Sequence, residues 1–196
     1  MDNITFEIIT KDEIELCRNL CNELMAFQKS KAVIAPEAFD LMNFDTRMRR
    51  SFESTPDAQV IVAKDNGVPV GYVFSDIEDV QKGDKSSLPD WAPESLRENL
   101  KNKDGFMGFY PDWDKLPERC GCLNNIYLRE GYRHQGLGKK LFNMTMDWMK
   151  SFPGIDLIFV YISNGNDEAF DFYLKNGFVY SHEVFGGFIK AMYCRG

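Results

Sequence analysis

The sequence predicts an α/β fold, a mixed central sheet covered by helices, and three stretches carry that prediction. From Cys122 to Met149, a strand bearing Leu123, Ile126 and Leu128 turns at Gly131 and passes through a glycine-rich turn. It then becomes a helix whose Leu137, Leu141, Thr145 and Trp148 recur on one face. Ile155 to Ile162 is nearly all apolar, as a strand parallel to the first and buried on both faces would be. Gln59–Ala63 and Val68–Phe74 flank Asp65-Asn66-Gly67, where Asn-Gly marks a tight hairpin.

The other elements follow in chain order. Ile4 to Thr10 alternates as a first strand would. Thr10-x-x-Glu13 can form a capping box, and Ile14, Cys17, Leu20, Cys21 and Leu24 then line one face of a helix reaching about Gln28. Pro36 suits the first turn of a second helix with Phe39, Met42, Met48 and Phe52 as its apolar positions; Arg47, Arg49 and Arg50 read as its solvated face. Residues 76–119 form an atypically long insertion, interrupted by Pro89, Pro93, Pro111 and Pro117. Trp91, Phe106, Phe109, Tyr110 and Trp113 make it too aromatic for a disordered linker. A short helix is expected over Pro93–Lys103, and so long an ordered loop suggests a substrate lid or a dimer contact, with simple surface packing as the alternative. Pro153-Gly154 ends the glycine-turn helix; Asn166 caps the next, with Asp167 and Glu168 in its first turn and Gly177 at its end. Val179–Phe185 and Phe188–Cys194 complete a hairpin about Gly186-Gly187.

Length and composition narrow the function classes. The 196 residues suit a single domain over 1–196, and 44% hydrophobic with 27% charged residues is ordinary for a soluble protein. No apolar run approaches the ~20 residues of a membrane span, and MDNITFEIITKDE lacks the basic-then-apolar form of a signal peptide. A cytoplasmic location without membrane attachment is therefore expected. Cys17, Cys21, Cys120, Cys122 and Cys194 fit it as buried, reduced thiols, since no zinc or thioredoxin spacing occurs. A formal charge of −7 argues against nucleic acid and mildly favours a cationic substrate.

A strand that feeds a glycine-rich turn and then a helix is a place to bind phosphate. Gly136 and Gly138 let backbone approach a ligand, and the free N–H groups of the first helical turn point at it with Lys139 and Lys140 nearby. A P-loop would need glycine at Arg133 and Ser or Thr at Lys140. A dinucleotide fingerprint would need a third glycine at Leu141, and Asp156 opens the next strand instead of ending it. What fits is Arg-x-x-Gly-x-Gly after a strand: Arg133-His134-Gln135-Gly136-Leu137-Gly138 resembles the pyrophosphate loop of the GNAT superfamily of acyl-CoA-dependent N-acyltransferases. Downstream, Asn166 to Phe178 resembles that family's Asn-x-x-Ala-x-x-Phe-Tyr-x-x-x-Gly-Phe motif. The match is close over residues 122–180 and holds only in outline before them.

The resemblance implies a mixed sheet of about seven strands with a splayed parallel pair and about four helices. It implies acetyl-CoA or a short acyl-CoA as acyl donor; no metal is expected, since no metal-ligand spacing appears. Pyrophosphate would be held by backbone groups of Arg133, His134, Gln135, Gly136, Leu137, Gly138 and Lys139, and the pantetheine arm by those of Ile126, Tyr127 and Leu128. Asn166 either contacts the cofactor or only caps its helix. Lys29 to Ala35 would border the acceptor, a small-molecule or peptide amine, and dimers are frequent among relatives. Tyr173 occupies the position of the general acid that protonates the leaving thiolate. Many relatives carry a carboxylate on the strand before the loop, but no acid lies between Arg119 and Glu130. Glu118, Glu130, a chain of waters, or an amine that arrives neutral remain as alternatives. His134 is expected to offer its backbone N–H, and His182 to be structural. The absent strand carboxylate leaves open a non-catalytic acyl-CoA sensor or interaction module on the same fold.

Overall fold

The computed structural model describes residues 3–80, 92–101 and 108–196. Seven strands, β1 (Ile4–Ile9), β2 (Ala58–Asp65), β3 (Val68–Asp79), β4 (Arg119–Leu128), β5 (Leu157–Ser163), β6 (Val179–Val184) and β7 (Ile189–Arg195), form one sheet in the order β1-β2-β3-β4-β5-β7-β6. Neighbours are antiparallel except β4 and β5, which run parallel and pair only from Gly121–Leu123 to Ile158–Val160. Beyond Leu123 the two strands part, which is the splayed pair that the resemblance implied.

Helices α1 (Arg18–Lys31) and α2 (Arg50–Ser54) cover one face of the sheet; α4 (Leu137–Lys150) and α5 (Asp167–Lys175) cover the other. A fifth helix, α3 (Glu94–Lys101), lies in the long connection, where a short helix was expected over Pro93–Lys103. The period-2 alternation of β3 shows which side chain meets which layer. Phe74 packs edge-on against Phe52 of α2 at 5.9 Å, whereas Ser75 meets Thr145 of α4 through a buried hydroxyl pair. Among the described residues no helix is long and apolar enough to cross a membrane. All five cysteines are buried and free.

Several boundaries differ from expectation, each for a local reason. Glu13 does accept from the Thr10 N–H at 2.9 Å, but it opens a tight 3₁₀ turn over Lys11–Cys17, and α1 follows as far as Lys31. The second helix is three pieces: a 3₁₀ turn Pro36–Leu41, a π-helical turn Phe44–Arg49, and α2. The break comes from Asn43, whose side chain accepts from the N–H groups of Asp45 (2.9 Å) and Thr46 (3.1 Å) and so starts a new helix. Phe39, Met48 and Phe52 are buried all the same, while Met42 is half-buried. Arg49 is not solvated: it pairs with Glu15 and Asp45 and lies 5.0 Å over the Phe44 ring.

Strand β3 runs to Asp79, beyond the expected end at Phe74, and β4 begins at Arg119. A bulge lies between them, because Phe74 pairs with Asn125 and Ser75 with Leu123, leaving Asn124 as the extra residue. The connection is therefore shorter than 76–119. Its expected helix forms over Glu94–Lys101, with Leu96 fully buried against the α1 layer. Pro89, Trp91, Lys103 and Phe106 lie outside the described residues. Its returning end packs on the sheet: Phe109 meets Tyr161 and Phe185 edge-on at 5.2 and 5.3 Å, and Trp113 meets Tyr193 at 4.9 Å.

Candidate active site

Where β4 leaves β5, a cleft of about 470 Å³ opens. Ile126, Tyr127, Leu128, Arg133, His134 and Asn166, six of the residues expected to hold the cofactor, line it. The turn above it is built by two left-handed residues, His134 (φ 59°) and Gly136 (φ 80°). The second needs glycine; the first is a sparsely populated conformation for a side chain to hold. Helix α4 starts directly at Leu137, its first-turn N–H groups free of intrahelical partners. Arg133 donates from Nε to the Leu128 carbonyl at 2.9 Å and stacks 4.8 Å over the Phe27 ring, which fixes its charge at the mouth.

The rest of the loop does not line the cleft. Gln135 donates its side-chain amide to the Gly131 carbonyl at 2.8 Å. Lys139 meets the Asn176 side chain and lies 4.8 Å over Phe142, so its ammonium faces the end of α5. Gly136, Leu137 and Gly138 form the turn and the first helical residues, where only backbone is offered.

Deeper in the splay lies a cavity of about 50 Å³ bounded by Asn124, Asn125, Tyr161, Asn166 and Tyr173 among others. Asn166 accepts from the Ala169 N–H at 3.3 Å, so it caps α5 and faces both cavities at once. Capping places Tyr173 two turns on, 3% exposed, with its ring 5.3 Å from that of Phe178. Burial first, and then the neighbouring Cys122, push its hydroxyl well above the usual phenol range, so it stays protonated.

On the α1 side of the same strands sits a group that sequence reasoning missed. Asp76 and Glu78 of β3 stand across from Cys122 and Cys120 of β4. The carboxyls of Asp76 and Glu78 and the Cys122 thiol lie within 4.8 Å of one another. Asp76 is 2% exposed, and among the described residues its Oδ1 has no hydrogen-bond partner. Burial, followed by the charge of Glu78, pushes Asp76 up to about 8, against the opposing pull of Asn124 and Arg47. Arg47 is half-buried, and its charge bears on Asp76. Tyr110, on the returning end of the long connection, donates to Glu78 at 2.9 Å. Glu118 and Glu130, the acids at the ends of β4, are exposed and line neither cavity.

The Lys29–Ala35 segment is tied to the far end of β5. Asn164, at the end of β5 and 3% exposed, accepts from Val33 N–H (2.7 Å) and Ile34 N–H (2.8 Å) through one side-chain oxygen. Its amide donates to the carbonyls of Ile34 (3.2 Å) and Phe188 (3.1 Å). Gly165 follows in a left-handed conformation, and a Cβ there would stand 1.9 Å from the Lys31 carbonyl oxygen.

Comparison with known proteins agrees with this geometry. The model of the acetyltransferase (GNAT) family matches residues 31–178. Among solved structures, PaiA N-acetyltransferase from Thermoplasma acidophilum in complex with coenzyme A superposes with a TM-score of 0.64 at 16% identity, over 99% of each chain. NAA60 of Arabidopsis thaliana in complex with a bisubstrate analogue gives 0.58 at 14% identity, over 99% of this chain and 97% of that one. The same protein in complex with acetyl-CoA gives 0.57 at 12% identity, over 99% of each chain. No curated protein sequence matches significantly. Because the family model spans well over half of the chain and the sheet carries the splayed pair, the chain belongs to the GNAT family of acetyltransferases.

Proposed function

We infer that the chain is an N-acetyltransferase that moves the acetyl group of acetyl-CoA to a primary amine by direct attack. The observation that carries this reading is the splay itself. Arg133 and His134, just before α4, and the unpaired edge of β4 line the outer cleft, and a protonated Tyr173 lines the inner cavity, the two sharing Ile126 and Asn166. Backbone groups from Arg133 to Lys139 would hold pyrophosphate, with the helix dipole behind them and the Arg133 guanidinium beside them. The pantetheine arm would lie along Ile126–Leu128, where β4 has no strand partner on its β5 side. That the PaiA and NAA60 structures hold coenzyme A, acetyl-CoA or a bisubstrate analogue supports this placement.

Acyl transfer from a thioester asks mainly for positioning and for proton management. The amine nitrogen attacks the carbonyl carbon, and the departing thiolate takes the proton of Tyr173. The sensor reading drew on the lack of an acid in β4; Asp76 and Glu78 stand on the adjacent strand, opposite Cys122 and Cys120. Release of free CoA from acetyl-CoA, followed with a thiol reagent against a panel of diamines, amino acids, aminoglycosides and short peptides with free N-termini, tests the proposal. Amine-dependent release is expected; release at the rate of background hydrolysis with every amine overturns it.

A further inference from the structure

The Asp76–Glu78 pair has no part in holding the donor, and its cost to the fold calls for a reason. Two carboxyls whose oxygens lie within 4.8 Å of each other, one of them 2% exposed, cannot both carry charge cheaply. Among the described residues no Lys or Arg forms an ion pair with either. The groups that face them are Cys120 and Cys122 of β4, Tyr161 of β5, Tyr110 of the long connection, and Arg47, which acts from the segment before α2. The thiols and phenols are all driven toward their neutral forms, burial being the leading cause, and Arg47 bears on Asp76 with its positive charge. The pair therefore holds one carboxyl, Asp76, that burial and the neighbouring Glu78 make a ready proton acceptor.

Its location assigns that capacity a use. Asp76 lies on the same face of β3 as Phe74, toward α2 and away from α4, whose N-terminus is the donor's end. The residue opposite it, Cys122, stands two positions before Asn124, which lines the inner cavity. Cys122, next to the last paired residue Leu123, also bears electrostatically on Tyr173 of the inner cavity. Tyr110 donates to Glu78, and the unpartnered Oδ1 belongs to Asp76, so the proton has a defined place to go.

We propose that Asp76 and Glu78 together accept the proton that the acceptor amine must lose before it attacks, with Tyr110 as a positioning residue that holds Glu78. The proposal rests on the acetyltransferase reading above. An ammonium gives one proton to the pair and becomes the free amine. Its lone pair forms the C–N bond at the thioester carbonyl carbon, and collapse of the adduct breaks the C–S bond. Tyr173 protonates the sulfur and regains the second nitrogen proton, and the pair afterwards releases its own proton to water. Supply of that proton acceptor from β3 replaces the carboxylate that β4 lacks. The long connection then enters the reaction through Tyr110.

The test is kcat/KM from pH 6 to 10 for the most active amine of the panel, in wild type, Asp76→Asn and Glu78→Gln, with acetyl-CoA affinity measured alongside. Each variant is expected to lose about a hundredfold at pH 7. Acetyl-CoA affinity should stay within twofold, and the deficit should shrink toward pH 10 as the amine arrives already neutral. Tyr110→Phe should show a smaller loss with the same pH trend. A deficit equal at every pH, or no deficit, in the folded variants overturns the proposal while leaving the acetyltransferase standing. Absence of amine-dependent CoA release in wild type overturns both.

Discussion

Asn164 and Ile34 exchange two hydrogen bonds, Ile34 N–H to the Asn164 side-chain oxygen at 2.8 Å and the Asn164 amide to the Ile34 carbonyl at 3.2 Å. A buried side chain thereby stands in for a strand partner and ties the segment after α1 to the end of β5. Gly165 allows the approach, since its backbone passes so close to Lys31 that any Cβ would collide. Truncation of Asn164 to Ala leaves the N–H groups of Val33 and Ile34 and the Ile34 carbonyl without their side-chain partner, while the Phe188 carbonyl keeps the Asn164 N–H. We expect a loss of about 2–4 kcal/mol, read as a fall of roughly 5–15 °C in the unfolding midpoint. A fall under about 2 °C would show that the segment is held by other contacts.

Tyr173→Phe removes one oxygen and keeps the ring contacts with Phe142 and Phe178. Turnover should fall by about tenfold to a hundredfold, because the thiolate must then leave without a donor. Acetyl-CoA affinity should hardly change, since the hydroxyl is needed only as the C–S bond breaks. Equal turnover in the variant would remove the general-acid assignment, and an equal loss in affinity would make Tyr173 a packing residue.

Asp76 sets a pH dependence whose sign follows from its shift. Its folded-state pKa is raised to about 8 by burial and by Glu78, whereas the unfolded chain titrates near ~3.9. The folded form binds the proton more tightly, so this contribution is fully present below pH ~4 and is lost as pH rises through about 8. Asp76→Asn keeps the shape and has nothing to ionise. Its midpoint relative to wild type should therefore climb from pH 5 toward pH 8 and level off above it. A difference that does not move with pH would mean that Asp76 titrates in the ordinary carboxylate range.

How much of this is legible in the sequence depends on where the deciding interactions are local. The turn from Arg133 to Gly138 can be read because a left-handed residue ahead of a helix selects glycine at Gly136, whatever the rest of the chain does. Asn166 and Gly177 bound α5 for similarly local reasons. The acid pair is hidden because strand ends are inferred from apolar alternation, and in Phe74-Ser75-Asp76-Ile77-Glu78 acids occupy the inward positions that would normally extend it. Their partners, Cys122 and Tyr110, are about forty residues away in sequence, and only the strand register brings them together. The break at Asn43 is a near-miss of another kind. An asparagine side chain competing for backbone N–H groups is a local signal, but the apolar spacing of Phe39, Met48 and Phe52 masks it.

The most direct test of the account is thermal unfolding with acetyl-CoA and with CoA, NAD serving as control. A ligand at ~100 times its dissociation constant adds ~2.7 kcal/mol, which raises the midpoint of a domain of this size by roughly 5–10 °C. The account predicts that rise with acetyl-CoA and with CoA, and none with NAD. No rise with either thioester or thiol would contradict it, because the opening between β4 and β5 would then be a feature of the fold without a ligand.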